Sequence, residues 1–248
     1  ELLSQKEMLS YIKHYESFGL IGSFPTCSKE EDVRKFLNLL LFLFLGGVLP
    51  SLSSKRGEVA REAARLLYFR LASEYYDAKR QAARSLNVRV LPTNKEVAFE
   101  LDRLASLLEG EMRVKKLKEL REDALEVMLI LERFIPVLVG SVWRGTARMG
   151  SDIDIRVFAE DPQDVIEELR RKGVNFKVEV LGKNKLKKYV HIYFKTNRGN
   201  SVEVVVRPLE EKCLKEKCDI FGDEIRGLTI SELKKVLRED PVRKFIPE

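Results

Sequence analysis

Residues 140–154 read GSVWRGTARMGSDID, and an apolar run at residues 134–139 leads into them. A basic loop with glycines then carries the chain into a second extended segment that begins at Asp152. Because alternate side chains of a strand share a face, Asp152 and Asp154 should point one way and the isoleucines that follow them into a core. Two adjacent carboxylates repel each other unless positive charge lies between them. The pattern therefore favours a site that binds divalent cations together with a phosphate chain.

This stretch resembles the signature of the DNA polymerase β-type nucleotidyltransferase superfamily, in which a strand ends in Gly-Ser and Asp-x-Asp opens the next strand. Its loop spacing is most similar to that of the minimal nucleotidyltransferases, and residues 144–146 (RGT) are similar to the archaeal CCA-adding enzymes. The superfamily carries a third carboxylate on a later strand. Glu203, within SVEVVVRP at 201–208, is the match, where aspartate is usual. The similarity covers residues 111–208 and does not extend into residues 1–110.

The resemblance implies an enzyme that transfers a nucleoside monophosphate from a nucleoside triphosphate to an acceptor hydroxyl and releases pyrophosphate. Asp152, Asp154 and Glu203 would be its catalytic residues and the ligands of two Mg²⁺ ions, for which Mn²⁺ could substitute. Arg156, farther along the strand face of the aspartates, could pair with them when metal is absent. The acceptor could be RNA, another protein or a small molecule. The chain is too short for the full body and tail of a CCA-adding enzyme.

The loop after the first strand supplies the candidate contacts to the nucleotide. Gly140 would let the backbone approach the β- and γ-phosphates, and the hydroxyl of Ser141 would donate to them, as the resemblance implies. Arg144 and Arg148 are further candidates for contact with the triphosphate, and a solvated basic loop is the alternative for both. Trp143 could stack on a base, although a position in the core or in a lid is favoured.

The chain has 248 residues, of which 34% are charged, and a formal net charge of +6. A positive excess favours anionic partners, here nucleotides or nucleic acid. Abundant Lys, Arg and Glu beside few Gln indicate a thermophilic source. The three cysteines (Cys27, Cys213 and Cys218) are an odd and low count, which speaks against a disulfide scaffold. His14 and His191 have no metal or triad spacing, and both are predicted to be structural.

The most apolar segment of the chain is residues 36–49. It is shorter than the roughly 20 residues that a membrane-spanning helix needs, so we expect no membrane partner. A helix that is apolar all round is usually buried in a bundle or in an oligomer interface, and a homo-oligomer through this helix is one expectation. No targeting segment is recognisable, which favours a cytoplasmic location.

Hydrophobic spacing predicts an all-helical domain at residues 1–110, in which residues 56–86 form one long helix. A nucleotidyltransferase-like domain with C-terminal helices follows at residues 111–248. Its order of elements predicts an α+β fold, a small mixed β-sheet with helices on one face. The expected helices lie at 111–133, 162–172 and 231–239, and the expected strands at 135–139, 152–158, 176–181, 188–195 and 201–206.

Residues 183–198 are basic and contain no acid, and aromatic residues alternate among the lysines. Basic residues interleaved with aromatics suit a nucleic-acid backbone and its bases. The alternative is a hairpin edge that lysines keep soluble. The basic residues are Lys183, Lys185, Lys187, Lys188, Lys195 and Arg198.

Two other hypotheses stay open at this point. The same fold could be a nucleotide- or RNA-binding regulatory module with little or no turnover, and the glutamate at position 203 is its support. The chain could also be the antitoxin-type component of a two-protein pair, because minimal nucleotidyltransferases often accompany helical partner proteins. The helical first half would then be a fused relative of such a partner, although it lacks an Arg-x₄-His nuclease motif.

Overall fold

The structure is a computed structural model that describes residues 54–184 and 187–247. The chain divides into two compact units, residues 1–92 and residues 93–248. The apolar helix predicted at residues 36–49, with the oligomer contact proposed for it, lies outside the described residues. Among the helices of the described part, none combines the length and the apolar character that crossing a bilayer requires.

The described part of the first unit is helical but departs from the prediction of one long helix at residues 56–86, which is wrong. Helix α1 (Lys55–Tyr68) and helix α2 (Tyr75–Ser85) are separate. The chain leaves α1 through Arg70, which has a φ of 55°. The amide of Leu71 donates to the carbonyl of Leu66, closing the helix end in the pattern that glycine usually provides. With arginine at that position, no stop signal was readable from the residue types.

The second unit begins with a long kinked helix, α3 (Asn94–Ile130). Thr93 caps it, and the side chain of Glu96 reaches back to the Thr93 amide to complete a capping box. Gly110 lies inside with φ 51° and ψ −133°, a conformation that is essentially restricted to glycine. The domain boundary expected between residues 110 and 111 coincides with this kink, whereas the division between the two compact units lies at Pro92.

A five-stranded mixed sheet follows, in the order β1-β2-β5-β4-β3. Strands β2 and β5 are parallel, and the other neighbouring pairs are antiparallel. The predicted α+β fold is therefore confirmed, a helical N-terminal region and then a mixed sheet with helices. The strands are β1 (Val137–Val139), β2 (Ile153–Phe158), β3 (Phe176–Asn184), β4 (Lys187–Lys195) and β5 (Ser201–Arg207), and the remaining helices are α4 (Gly140–Arg144), α5 (Pro162–Arg171) and α6 (Ile230–Glu239).

The two faces of the sheet differ in polarity. Buried and half-buried side chains alternate along β2 and β5, so one face is apolar and the other carries polar groups. Ile153 and Ile155 are fully buried, as expected from the alternation, and they belong to a core that includes Leu117 of α3, Leu169 of α5 and Leu233 of α6. The helices thus cover the apolar face, and the opposite face is left for Asp154 and its neighbours.

Candidate active site

The turn after β1 is built around Gly140, which has a φ of 69°. A β-carbon at this position would overlap Oδ2 of Asp154 and lie 2.8 Å from its Cγ. The two residues meet because Val139 and Asp154 are partners in the antiparallel pairing of β1 with β2. Ser141 follows half-buried in the first turn of α4. Glycine is required here by the neighbouring carboxylate as well as by the backbone, a reason that the sequence had not revealed.

The structure brings two of the predicted carboxylates together on neighbouring strands. Asp154 and Glu203 are direct partners in the parallel pairing of β2 with β5, and strands in a sheet lie about 4.8 Å apart. Asp152 is exposed and precedes β2 by one residue. Removal from water, the charge of Glu203 and that of Asp152 together raise the pKa of Asp154 to about 7. Burial is the largest cause of this rise, and repulsion from the two neighbouring carboxylates adds to it.

Two residues of β4 hold Glu203. Nδ1 of His191 donates to Oε1 of Glu203 at 2.7 Å, and the hydroxyl of Tyr193 donates to the same oxygen at 2.8 Å. Tyr193 is the direct partner of Glu203 in the antiparallel pairing of β4 with β5. Burial, followed by this hydrogen bond, raises the pKa of Tyr193 to about 12. The interpretation of His191 as structural missed this contact. The predicted hairpin between residues 195 and 201 implies the pairing of Tyr193 with Glu203, so the register of β4 against β5 could have indicated it.

The loop between α4 and β2 is attached to the kinked helix α3. The carboxylate of Glu109 accepts from the amide of Met149 at 3.0 Å. Arg113, which is buried, donates to the carbonyls of Thr146 and Ala147 at 2.9 and 2.8 Å. Arg148 is half-buried, and its amide donates to Oγ of Ser151. This attachment was not predictable from the sequence, because it joins residues on either side of the Gly110 kink to a distant loop.

Arg144 lies inside the domain and not on the surface of the loop. Its guanidinium donates to both carboxylate oxygens of Asp223, at 2.7 and 2.8 Å, and to the carbonyl of Phe245 at 3.0 Å. It also stacks on Trp143, which is buried in the core as favoured from the sequence. The hydrogen bonds from Arg144 lower the pKa of Asp223. The guanidinium is therefore used within the protein, and of the two loop arginines Arg148 stays the candidate for a phosphate contact.

Arg156 pairs with an acid other than the one expected. Its guanidinium lies 3.0 Å from Glu216, and Arg207 donates to the other oxygen of that carboxylate at 2.7 Å. Burial, followed by the charge of Arg207, lowers the pKa of Arg156. Arg156 offsets only part of the rise in the pKa of Asp154. The predicted pairing of Arg156 with the aspartates is thus replaced by an ion pair with Glu216.

The donors at the site have the chemistry of a site for a hard cation, since carboxylate oxygens are the ligands that Mg²⁺ prefers. Across residues 54–184 and 187–247, no three His, Cys, Asp or Glu side chains already surround one point as a metal site would. Asp152 is exposed, and Glu203 is the direct partner of Asp154 in the parallel pairing of β2 with β5. The residues present therefore fit a divalent cation by donor type and proximity, with rotation of the exposed Asp152 needed to complete the site.

The basic stretch beside the site is only partly available to a ligand. Lys188 and Lys195 of β4 are exposed. Arg198 forms ion pairs with Asp123 and, at 3.3 Å, with Glu126. The side chains of Lys183, Lys185 and Lys187 lie outside the described part of the chain. A nucleic-acid contact along this strand therefore stays a prediction that depends on the two exposed lysines.

Comparison with known families found a match within the second unit. The nucleotidyltransferase domain family matches residues 117–228, which include the Gly140 turn and all three candidate carboxylates. Residues 117–228 are therefore similar to nucleotidyltransferase domains, which are a class of enzyme domains.

Several solved structures are similar to this chain. A cytoplasmic RNA terminal U-transferase shares 20% identity over 46% of this chain and 34% of its own, with a TM-score of 0.29. Cid1 in complex with its short product ApU shares 21% over 37% and 31%, with a TM-score of 0.28. The Cid1 poly(U) polymerase bound to MgATP shares 19% over 44% and 38%, with a TM-score of 0.30. The chain spans about a third of the length of these structures. Comparison with curated proteins gave no match.

Proposed function

We propose that this protein transfers a nucleoside monophosphate from a nucleoside triphosphate to an acceptor hydroxyl, with release of pyrophosphate, in a reaction that depends on a divalent metal ion. The observation that carries the proposal is the pairing of Asp154 with Glu203 beside the Gly140 turn. Burial and then the charges of Glu203 and Asp152 raise the pKa of Asp154 to about 7, and a divalent cation would offset the repulsion among these carboxylates.

The metal ligands in this proposal are Asp152, Asp154 and Glu203, binding two Mg²⁺ ions or, as a substitute, Mn²⁺. When bound, such ions would neutralise the negative charge that develops on the reacting oxygens. Asp154 is the central ligand, because the exposed Asp152 lies two residues before it in the chain and Glu203 is its partner on the neighbouring strand.

The triphosphate would be held by the turn after β1. The hydroxyl of Ser141 donates to the β- or γ-phosphate, and the guanidinium of Arg148 adds positive charge. The contacts of Glu109 and Arg113 support this assignment, because they keep the loop in one place before the nucleotide arrives.

In the reaction, the acceptor oxygen forms a bond to the α-phosphorus while the bond from that phosphorus to the bridging oxygen breaks. Pyrophosphate leaves with the electron pair of the broken bond. We assign the proton of the acceptor hydroxyl to Oε2 of Glu203, because Oε1 already accepts hydrogen bonds from His191 and Tyr193.

The acceptor is an RNA, a protein or a small molecule. An RNA acceptor has the support of the exposed Lys188 and Lys195, which lie on the strand that also carries the two partners of Glu203. The net charge of +6 agrees with a polyanionic partner.

The test is incubation with each labelled nucleoside triphosphate, Mg²⁺ or Mn²⁺, and a panel of RNA oligonucleotides, proteins and hydroxyl compounds. Product formation with at least one acceptor is expected, and Asp154→Asn should abolish it. Glu167→Gln is the matched control, since it neutralises an exposed acid on α5. The proposal fails if no acceptor is labelled and if Mg²⁺-dependent triphosphate binding survives Asp154→Asn.

A second candidate is a nucleotide- or RNA-binding module with little turnover. It has the support of one observation, that no three metal-ligating side chains in the described residues already surround one point. Tight, Mg²⁺-dependent binding of a nucleoside triphosphate or RNA without product, at any acceptor tested, would favour this candidate over the enzyme.

A further inference from the structure

We propose that His191 and Tyr193 are positioning residues that orient Glu203, so that Oε2 faces the reaction centre. This inference rests on the proposed function, because it assigns a role to a side chain of the same site. Neither residue is proposed to touch the substrate. Both would act on the reaction through the carboxylate that they hold.

The geometry of the three side chains is specific. Both hydrogen bonds end on Oε1 of Glu203, at 2.7 Å from His191 and 2.8 Å from Tyr193. Hydrogen bonds to an ionised carboxylate are shorter and stronger than those between neutral groups. Since one oxygen takes both donors, the carboxylate is fixed by that oxygen and the other is turned away from them.

The two donors form one unit on β4. As alternate residues of a strand, His191 and Tyr193 share a face, and their rings stack with centroids 6.3 Å apart and planes 20° apart. The side chains of His191 and Glu203 are only 18% and 27% exposed. The stacked rings therefore limit how far either donor can move away from the carboxylate.

This arrangement accounts for glutamate where the superfamily usually has aspartate. A glutamate side chain has one more rotatable bond, and it loses more conformational freedom when its carboxylate is held in place. Two donors on the opposite strand supply that restraint. An aspartate at position 203 would end about 1.5 Å nearer to its own strand, one carbon–carbon bond short of both donors. Glutamate and the His191–Tyr193 pair are thus a matched set.

The predicted consequence separates catalysis from nucleotide binding. Without the hydroxyl of Tyr193, Glu203 would spend less time in the productive orientation, and kcat should fall. The triphosphate is held by the turn after β1, so KM for the nucleotide should change little. Loss of a partner that orients a metal ligand typically lowers metal affinity or activity by about 10- to 100-fold.

The experiment compares Tyr193→Phe and His191→Asn with the unchanged chain. For each protein, kcat, KM for the nucleotide and the affinity for Mn²⁺, measured by electron paramagnetic resonance, are determined. We expect kcat and Mn²⁺ affinity to fall by about tenfold or more and KM to stay within about twofold. The matched control is Tyr189→Phe. The hydroxyl that it removes lies on the same strand face but donates to Glu211.

A second comparison separates positioning from a general structural effect. In a Glu203→Asp background the carboxylate cannot reach the donors, so adding Tyr193→Phe should change Mn²⁺ affinity and kcat by less than about twofold. An undiminished effect of Tyr193→Phe in that background would overturn the inference. So would unchanged kcat and Mn²⁺ affinity in Tyr193→Phe and His191→Asn while Asp154→Asn abolishes transfer. If Asp154→Asn itself leaves transfer intact, the proposed function fails first.

Discussion

The α-carbon of Gly140 faces the carboxylate of Asp154 so closely that a β-carbon at position 140 would overlap Oδ2 and lie 2.8 Å from Cγ. Real side chains do not tolerate such a distance, and the φ of 69° adds a second reason for glycine. The end of β1 and the central carboxylate of the site are therefore built against each other. Glycine is needed at this position before any nucleotide binds.

Gly140→Ala is the first prediction that follows. Either the backbone of the turn or the carboxylate of Asp154 has to move, so both stability and Mg²⁺-dependent triphosphate binding should be lost. Gly173→Ala is a matched control, because Gly173 has a φ of 72° but open space around its α-carbon. The control should cost about 1–2 kcal/mol of unfolding free energy, and Gly140→Ala clearly more. Equal losses for the two variants in urea unfolding would contradict the role given to the contact.

The pKa of Asp154 leads to a prediction about stability and pH. In the folded chain this pKa is raised to about 7 from an ordinary value of 3.8. Between these two values the folded state holds a proton that the unfolded state has released. Stabilisation from this proton is therefore complete below about pH 4 and is lost as the pH rises to about 7.

Urea unfolding across this pH range, in the presence of EDTA, measures the effect. Asp154→Asn should remove the decline that is due to this group, and Glu167→Gln should leave it in place. Saturating Mg²⁺ should flatten the decline as well, because a metal ion that binds the carboxylate competes with the proton. Parallel profiles for the unchanged chain and Asp154→Asn would show that the carboxylate is not perturbed.

The two loop arginines should behave differently on substitution. Arg144 is 5% exposed and paired with Asp223, so Arg144→Met should lower the unfolding free energy by about 3 kcal/mol. Its KM for the nucleotide should stay unchanged in the fraction that folds. Arg148→Met should instead raise KM for the nucleotide. If KM for the nucleotide rises in Arg144→Met and not in Arg148→Met, Arg144 is the residue that contacts the triphosphate.

The attachment of the loop to α3 provides another prediction. Glu109→Ala removes the carboxylate that accepts from the amide of Met149, which should loosen the loop between α4 and β2. We expect faster amide hydrogen exchange in residues 145–151 and a rise of roughly tenfold in KM for the nucleotide. Arg103→Met, on an exposed part of the same helix, is the control. Unchanged exchange in the loop would contradict the role given to Glu109.

Much of the fold of the second unit was predictable because its signals are local. The alternation along Ile153 to Phe158 and Ser201 to Arg207 predicted both central strands, and Asp161 with Pro162 predicted the start of α5. One departure among the described residues lies in the first unit, at the break between α1 and α2. Arg70 adopts a positive φ there, and its residue type does not announce a helix end.

The candidate site was predictable to the extent that it lies in one contiguous stretch. Gly140, Ser141, Asp152 and Asp154 are close in sequence, so strand alternation and the resemblance sufficed to single them out. Glu203 was reached through the resemblance alone. Its proximity to Asp154 depends on β5 inserting between β2 and β4, an order that spacing along the chain does not contain.

The sequence by itself determined the sheet-forming segments, the two aspartates at the start of β2 and the glycine turn, because these follow from side-chain alternation and backbone freedom over a few residues. The tertiary structure alone decided which partners these groups meet. In the folded chain His191 and Tyr193 form hydrogen bonds with Glu203. Arg144 pairs with Asp223, and Asp154 lies against Gly140. These contacts join residues from different strands and loops. Because they depend on strand order and packing, no local sequence pattern could predict them.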